Sequence, residues 1–370
     1  MKKLLIIFLL LGFFLGVFTS CYIVKRPLSS DFPLLNEVAN LINTKYVDEK
    51  SEIDLINGLV SSLKDPYSNF YTPEDFQVLK EDLKGEYSGI GVLIGARNNK
   101  IEILMVFKNS PAEEAKLPVH SYIVEVDGVN VEGKSVDEVA NLVRGEEGTY
   151  VNLKVVKDGE TLSFKIMRKK IVAETVIYKN ISDEIGYIKI LTFTDSTPNE
   201  IKIAFDNLKN IKGLILDLRD NPGGLLSSLN GVSPYFIPEG TLFYSETKGN
   251  RKEFKSPGPG IKIPLVVLVN ENTASASEIL SGAIKDRKVG ILVGQKTYGK
   301  GLIQTIFNLS NGYGLVLTTE RYLTPNLFAL DKKGIEPDVT VEYKVDENEP
   351  DMDSQLKKGI EILKEEINKK

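Results

Sequence analysis

The chain has 370 residues, of which 42% are apolar, so it is long enough to bury a core and to form two or three domains. Its net charge of −5 gives no reason to expect a nucleic-acid partner. His120 is the only histidine and Cys21 the only cysteine, which excludes a disulfide framework and a cysteine-based zinc site. A Ser-His-Asp triad, a His-rich zinc site or a Cys-His pair would each have to use His120. If the chain carries a serine nucleophile, lysine is the base that remains.

Residues 1–24 have the pattern of a signal peptide or membrane anchor. Two lysines precede an apolar run that ends at Val24. Because positive charge stays on the cytoplasmic side, we expect the rest of the chain to lie outside the cytoplasm, in the periplasm or cell envelope. Two fates stay open: Phe18-Thr-Ser-Cys21 resembles a bacterial lipobox, in which Cys21 is lipidated after cleavage, and a run of roughly 20 residues can also span a bilayer uncleaved. Both predict a membrane-attached protein.

Residues 31–82 are expected to form an N-terminal helical region. Apolar residues recur at helical spacing in two segments, and Asp65-Pro66 ends the second of them. Thr72 followed by Pro73 predicts the start of a third helix, with threonine as N-cap. The apolar faces favour either a homodimer or packing against the protein's own core, and the sequence leaves both open.

The next stretch combines a glycine loop with several short strands. Tyr87-Ser-Gly-Ile-Gly-Val-Leu-Ile94 predicts a loop leading into a strand, and Asp127-Gly128 and Asp158-Gly159 predict tight turns between strands. A helix is predicted from Ser135. With these features residues 84–169 resemble a PDZ domain.

That resemblance implies a binding mode. In PDZ domains, backbone N–H groups of the loop hold the terminal carboxylate of a peptide, and the peptide adds to the sheet as a strand. Protein or peptide substrates with small or apolar C-termini are the implied partners. His120 falls in a loop of this domain, where we expect no catalytic role. The loop residues that the resemblance assigns to peptide binding are Ser88, Gly89, Ile90 and Gly91.

Residues 170–345 alternate between predicted strands and helices, which indicates an α/β core. A buried strand leads into Asp217-Leu-Arg-Asp-Asn-Pro-Gly-Gly224, and a helix is expected to begin near Leu225. Glycine at a strand end lets the backbone approach a ligand closely, although an ordinary strand-to-helix turn explains the same residues. Asp217 and Arg219 are expected to be structural.

The stretch from Pro264 to Gln304 carries the residues best suited to chemistry. A short apolar run before Asn270 predicts a strand buried on both faces. Ser275 stands at the start of the following helix, where the helix dipole favours a developing oxyanion. Ser275-Ala-Ser-Glu278 also fits a capping box, and these residues on their own favour that interpretation.

Lys300 lies in a glycine turn, and two interpretations of this turn assign the lysine no part in proteolysis. Gly294 to Lys300 matches the beginning of a Walker A pattern, which next requires Ser or Thr and a helix. Here Gly301 follows, and residues 302–307 predict a strand, so a nucleotide site is rejected. A solvated lysine in a turn remains the plain alternative.

Together, Asn270-Glu-Asn-Thr-Ala-Ser-Ala-Ser-Glu278 and Gly299-Lys-Gly301 resemble the C-terminal processing peptidases of family S41, which are tail-specific serine proteases with a Ser–Lys dyad. The resemblance covers about residues 35–345. It implies an α/β protease core, crotonase- or Clp-protease-like, over residues 170–345, with an inserted PDZ domain and an N-terminal helical region. No metal or nucleotide cofactor is implied.

The resemblance also implies roles for single residues. Ser275 would be the nucleophile, Lys300 the general base, and Gln304 the residue that orients the lysine. One oxyanion N–H would come from Ala276, and the other from Gly223 or Gly224. The chain departs from the family at Tyr67, where a histidine is common.

Two alternatives to an active protease are disfavoured by the sequence. A catalytically inactive PDZ scaffold at the membrane is disfavoured because Ser275, Lys300 and Gln304 are all present. Acyl-thioester chemistry on the same core is disfavoured by the peptide-binding domain.

Residues 350–370 predict a short amphipathic helix that packs on the core or on a second subunit.

Overall fold

The computed structural model describes residues 32–97, 100–172, 174–345 and 352–369. The chain divides into two compact units, one ending at Lys64 and one beginning at Asp65. The predicted signal peptide or anchor, including Cys21, lies outside the described residues. Within the described ranges, no helix is long and apolar enough to cross a membrane.

The first unit contains a pair of helices, α1 (Pro33–Lys45) and α2 (Glu52–Ser61). The second helix begins with a capping box, in which the Ser51 hydroxyl accepts from the Asp54 N–H and the Asp54 carboxylate accepts from the Ser51 N–H. Neither helix has a buried residue. Several of their apolar side chains are exposed, namely Leu34, Leu35, Val38, Leu41 and Leu59, and others are half-buried.

The second unit opens with β1 (Asn69–Tyr71) and α3 (Pro73–Lys84). The predicted start of this helix is confirmed: the Thr72 hydroxyl accepts from the Asp75 N–H, and proline fills the first helical position. Gly85 ends the helix in the left-handed conformation, with φ 74°.

A PDZ domain follows α3, and its first and last strands pair with each other. Strand β2 runs antiparallel to β9, so the chain enters and leaves the domain side by side, which suits an insertion. The main sheet has the order β3-β4-β5-β7-β8, with β6 on β5, which leaves one edge of β3 open. The elements are β2 (Glu86–Gly89), β3 (Val92–Arg97), β4 (Lys100–Val106), α4 (Pro111–Glu114), β5 (Tyr122–Val126), β6 (Val129–Asn130), α5 (Val136–Val143), β7 (Tyr150–Lys157), β8 (Glu160–Met167) and β9 (Lys169–Val172).

The predicted α/β core is confirmed. Its six-stranded sheet has the order β10-β11-β12-β15-β16-β19, with all pairs parallel except β10 with β11. A second sheet has the order β1-β18-β13-β14, with β17 on β18. The elements are β10 (Val176–Asn180), β11 (Ile185–Ile190), α6 (Thr197–Asn207), β12 (Gly213–Asp217), α7 (Leu226–Phe236), β13 (Gly240–Thr247), β14 (Asn250–Ser256), β15 (Leu265–Val269), α8 (Ala276–Asp286), β16 (Ile291–Gly294), β17 (Leu302–Asn308), β18 (Gly314–Leu323), β19 (Val339–Thr340) and α9 (Ser354–Asn368).

Strands β12 and β15 place the site. Every residue of both strands is buried, as their unbroken apolar runs predict for parallel strands covered on two faces. They are neighbours, with Asp217 opposite Leu268. Their C-terminal ends therefore lie at one edge of the sheet, so the loops that follow them emerge side by side, where ligands bind in open α/β sheets.

The C-terminal helix α9 packs its apolar face on the core of its own chain. Of the two positions that the sequence left open, the core or a second subunit, the structure has the first. Leu356, Ile360 and Leu363 join a buried cluster on one face of the sheet. A buried ion network fixes the start of the helix: the Arg219 guanidinium binds the Asp217 carboxylate and donates to Asp353 Oδ1 at 2.8 Å. Although burial opposes it, Arg219 keeps the pKa of Asp217 below its usual value.

Candidate active site

Ser275 occupies a strained turn between β15 and α8. Its backbone has φ 57° and ψ −118°, a conformation that non-glycine residues rarely adopt and that persists only when the surroundings enforce it. Neighbouring loop contacts provide that enforcement: the Ala274 N–H donates to the Asn221 carbonyl at 3.0 Å, and the Thr273 hydroxyl donates to the Leu218 carbonyl at 2.9 Å. The loop after β12 thus holds the loop after β15.

A buried carboxylate joins Ser275 to Lys300. Glu278 is fully buried and accepts from the Ser275 N–H at 3.0 Å and the Lys300 N–H at 2.9 Å. It also accepts from the Gly299 N–H at 2.8 Å and from the Thr297 hydroxyl. Burial raises the pKa of Glu278, while these hydrogen bonds oppose the rise. The capping-box glutamate predicted from the sequence therefore also fixes the lysine loop.

Tyr322 makes a second connection between the same two residues. Its side chain is 1% exposed, and its hydroxyl lies within hydrogen-bond distance of the carbonyl oxygens of Ser275 and Lys300. The backbones of both residues are thus held by two shared buried partners. The sequence indicated no such role for Tyr322, because no local pattern links it to residues so far away along the chain.

One cleft of about 440 Å³ contains most of the predicted catalytic residues. Ser275, Lys300, Gln304 and Gly224 all line it. Its walls are otherwise largely apolar, and the aliphatic side chains among them are Leu79, Leu83, Leu225, Leu226, Ile279, Leu302, Ile303, Ile306 and Val316.

Lys300 is half-buried, and its environment shifts its titration. Burial lowers the pKa of Lys300 below its ordinary value, while the charges of Asp65 and Glu278 oppose that shift. Within the described ranges its ammonium makes no hydrogen bond, and it lies 4.5 Å from the centre of the Tyr67 ring. Gln304 is in the same cleft, but its amide donates to the Thr318 hydroxyl at 3.2 Å.

The glycine pair lies directly against the serine turn. A Cβ on Gly223 would come within 2.7 Å of the Ser275 Cβ, and one on Gly224 within 2.1 Å of the Phe193 carbonyl oxygen, so both positions require glycine. The Gly223 N–H already donates to the Asn221 side chain at 2.9 Å. Across the described part of the chain, the N–H groups of Gly224 and Ala276 have no acceptor.

The PDZ groove lies between the open edge of β3 and helix α5. It has a volume of about 290 Å³ and is lined by Ile90, Gly91, strand β3 and apolar residues of α5. The carbonyls of Ile90 and Gly91 are bound from behind by the N–H groups of Ala112 and Phe107. Their own N–H groups have no acceptor among the described residues, as a carboxylate-binding loop requires.

The remaining residues singled out from the sequence are Ser88, Gly89 and His120, and all three belong to the PDZ domain. Ser88 and Gly89 belong to β2, where they pair with Lys170 and Lys169 of β9. His120 lies in a PDZ loop, as predicted, with Nδ1 2.9 Å from the Glu102 carboxylate.

A strained serine turn and a half-buried lysine line one cleft of an α/β core that carries a PDZ domain, an arrangement that suits a serine peptidase. Comparison with known proteins agrees. Residues 184–341 match the model of peptidase family S41, and residues 103–157 match a PDZ domain model.

Relatives extend the match to most of the chain. The carboxyl-terminal-processing protease of Synechocystis is 36% identical over 319 residues, covering 82% of this chain and 75% of the relative. A probable CtpA-like serine protease of Staphylococcus aureus is 36% identical over 322 residues, covering 83% of this chain and 65% of that longer protein. This chain therefore belongs to peptidase family S41, among the carboxyl-terminal-processing proteases.

Solved structures support the same assignment. The photosystem II D1 C-terminal processing protease aligns with a TM-score of 0.56 at 31% identity, covering 83% of this chain and 86% of that one. A putative S41 protease from Bacteroides fragilis aligns with a TM-score of 0.58 at 15% identity, covering 90% of this chain and 97% of that one, which shows the fold alone. The predicted family, fold and serine-protease activity are confirmed, and the inactive-scaffold alternative has no support.

Proposed function

We propose that this S41 peptidase cleaves its substrates with Ser275 as nucleophile and Lys300 as general base. The observation that supports the proposal is the Glu278 carboxylate, which accepts from the backbone N–H groups of both residues, and both residues line one cleft. Burial disfavours the charge of this carboxylate, and its hydrogen bonds from three backbone N–H groups and one hydroxyl offset that cost.

The reaction would proceed through an acyl-enzyme. Neutral Lys300 removes the proton of the Ser275 hydroxyl, whose oxygen attacks the scissile carbonyl carbon. The N–H groups of Ala276 and Gly224 stabilise the oxyanion, since the Gly223 N–H is engaged by Asn221. Lys300 returns the proton to the leaving amine, and water then hydrolyses the ester. Burial supports this use of Lys300, because it favours the neutral amine.

We propose Gln304 as an adaptable partner of the lysine. Its amide shares the cleft with Lys300, and the amide nitrogen donates to Thr318, so the amide oxygen is the atom that would accept from the lysine. Its removal should therefore weaken the reaction less than removal of Ser275 or Lys300.

The substrate's C-terminus would be read by the PDZ groove. Ile90 and Gly91 line a groove with aliphatic side chains, and among the described residues their N–H groups have no acceptor. This arrangement suits a free carboxylate followed inward by a small or apolar side chain. The open edge of β3 would pair with the peptide backbone.

We further propose attachment to the outer face of the cytoplasmic membrane, through residues 1–24 or lipid on Cys21. Pairing of two copies through the exposed apolar faces of α1 and α2 would give a homodimer. Both proposals rest on the apolar patterns of these segments. Sedimentation tests the dimer proposal: a chain that lacks α1 and α2 should be monomeric. If that chain is still a dimer, another surface forms the dimer.

Digestion of unfolded and native test proteins decides whether the proposed dyad works. The wild type should produce fragments, and Ser275→Ala and Lys300→Met proteins that keep the wild-type circular dichroism spectrum should not. Fragments formed at the wild-type rate by Ser275→Ala would remove Ser275 from the mechanism, and the same result with Lys300→Met would remove the base.

A further inference from the structure

The Lys300 ammonium lies over a side chain that the reaction scheme does not use, the aromatic ring of Tyr67. The nitrogen lies 4.5 Å from the centre of the ring, within the range at which the electron-rich face of an aromatic ring attracts a cation. No hydrogen bond from this ammonium occurs within the described ranges. Tyr67 also lines the catalytic cleft.

The position of the ring is fixed by its own loop. The Tyr67 N–H donates to Asp65 Oδ1 at 3.1 Å, and the Ser68 hydroxyl donates to Asp65 Oδ2 at 2.6 Å. The buried Ser68 oxygen in turn accepts from the Thr318 N–H at 3.0 Å, which ties the loop to strand β18. The ring is therefore part of a built site and not a freely moving surface side chain.

The hydroxyl of Tyr67 is unsuited to acid–base catalysis because its pKa is raised. Burial, a hydrogen bond with Tyr298 and the charges of Asp331 and Asp65 raise the pKa of Tyr67 to about 12. The side chain is thus a neutral phenol at any pH at which the enzyme would work. What it offers Lys300 is the face of its ring.

We propose that Tyr67 is a positioning residue for the Ser275–Lys300 dyad: its ring holds the Lys300 ammonium in the cleft and sets the pH at which the base becomes available. The inference rests on the proposed role of Lys300. The ring favours the charged lysine, whereas burial favours the neutral one, so the two oppose each other. Among the described residues, the charges of Asp65 and Glu278 act on Lys300 in the same direction as the ring.

The test is the pH dependence of Ser275 labelling by a fluorophosphonate probe, which needs no peptide substrate. Tyr67→Leu should move the midpoint of the acid limb downward by about 0.5 to 1 pH unit, because loss of the ring makes the neutral amine available at lower pH. Tyr67→Phe should leave the midpoint in place. A merely structural role would lower the labelling rate at every pH without moving the midpoint.

Two further proteins sharpen the test. Tyr150→Leu removes a ring that lies 4.8 Å from the Lys165 ammonium on the PDZ domain, and should leave the midpoint unchanged. A series of phenylalanines at position 67 with increasing fluorination keeps the shape of the ring while weakening its attraction for cations. The midpoint should fall stepwise along this series, which covers the case in which Tyr67→Leu does not fold.

The outcomes separate this inference from the proposed function. If wild-type labelling does not depend on Ser275 and Lys300, the proposed dyad is wrong. If it does depend on both, but the midpoint stays constant in Tyr67→Leu and along the fluorinated series, the dyad stands and the role of Tyr67 is refuted.

Discussion

Glu278→Gln is the substitution that most sharply probes how the dyad is held. The glutamate carboxylate accepts hydrogen bonds from three backbone N–H groups and one hydroxyl. Glutamine has the same shape but only one acceptor oxygen, and its amide nitrogen would face donors. If the oxygen stays with Thr297 and Gly299, the N–H groups of Ser275 and Lys300 lose their acceptor.

The expected cost follows from burial. Glu278 is 0% exposed, so water cannot replace the lost acceptor. A buried donor without an acceptor costs about 1 to 3 kcal/mol, so two such donors cost roughly 2 to 6 kcal/mol. That is a large share of a typical unfolding free energy of about 5 to 15 kcal/mol. Labelling of Ser275 should fall in the protein that remains folded, because both backbones lose their shared anchor.

The chain contains a matched control. Glu138 is also the third residue of a helix with a capping box, and accepts from the Ser135 N–H at 2.8 Å, but it is exposed. Glu138→Gln should change the unfolding free energy by no more than about 0.5 kcal/mol. Thermal unfolding and fluorophosphonate labelling of both variants provide the comparison. Equal stability losses and equal labelling rates in the two variants would refute the anchoring role of Glu278.

Three other predictions follow from the site and the groove. Gly223→Ala should abolish labelling of Ser275, since its Cβ would meet that of Ser275 at 2.7 Å, whereas Gly159→Ala, at φ 84° with open space around it, should leave labelling intact. Lys300→Met should raise the melting temperature at pH 7, because the folded protein holds the Lys300 proton less tightly than the unfolded chain and the charged lysine therefore costs stability. The difference in melting temperature between the variant and the wild type should narrow as pH rises toward about 10.4. A widening difference would contradict the lowered pKa. Peptides with a free C-terminus should be cleaved faster than amidated ones, and Ala140→Glu in the groove should remove that preference; equal rates for both peptides with the wild type would contradict tail recognition.

The parts of the fold that follow from local patterns were predictable. The unbroken apolar run at Leu265–Val269 gave a buried strand, and Thr72-Pro73 gave a helix start, because each depends on neighbouring residues and on elementary geometry. The strand after Gly301 likewise excluded a nucleotide loop. The position of α9 was left open, because an amphipathic helix carries no information about which apolar surface it will meet.

The contacts that build the site were not predictable in the same way. Glu278 was recognised as a capping residue, but its bond to the Lys300 N–H depends on how α8 and the loop before β17 meet in space. The Tyr322 hydroxyl and the Tyr67 ring reach Lys300 from parts of the chain that no local pattern connects to it. Our proposal of Gly224 over Gly223 for the oxyanion rests on a hydrogen bond from the Gly223 N–H to Asn221 that only the folded turn reveals.

The most direct test of the central claim is the capture of the acyl-enzyme. A short peptide thioester is mixed with the wild-type protein, and the site and rate of acylation are measured by mass spectrometry after rapid acid quenching. The account predicts an acyl group on Ser275, formed about 10² to 10⁴ times more slowly in folded Lys300→Met protein, which is the usual contribution of a general base. An acyl group on another residue, or an unchanged rate in Lys300→Met, would contradict the Ser275–Lys300 mechanism.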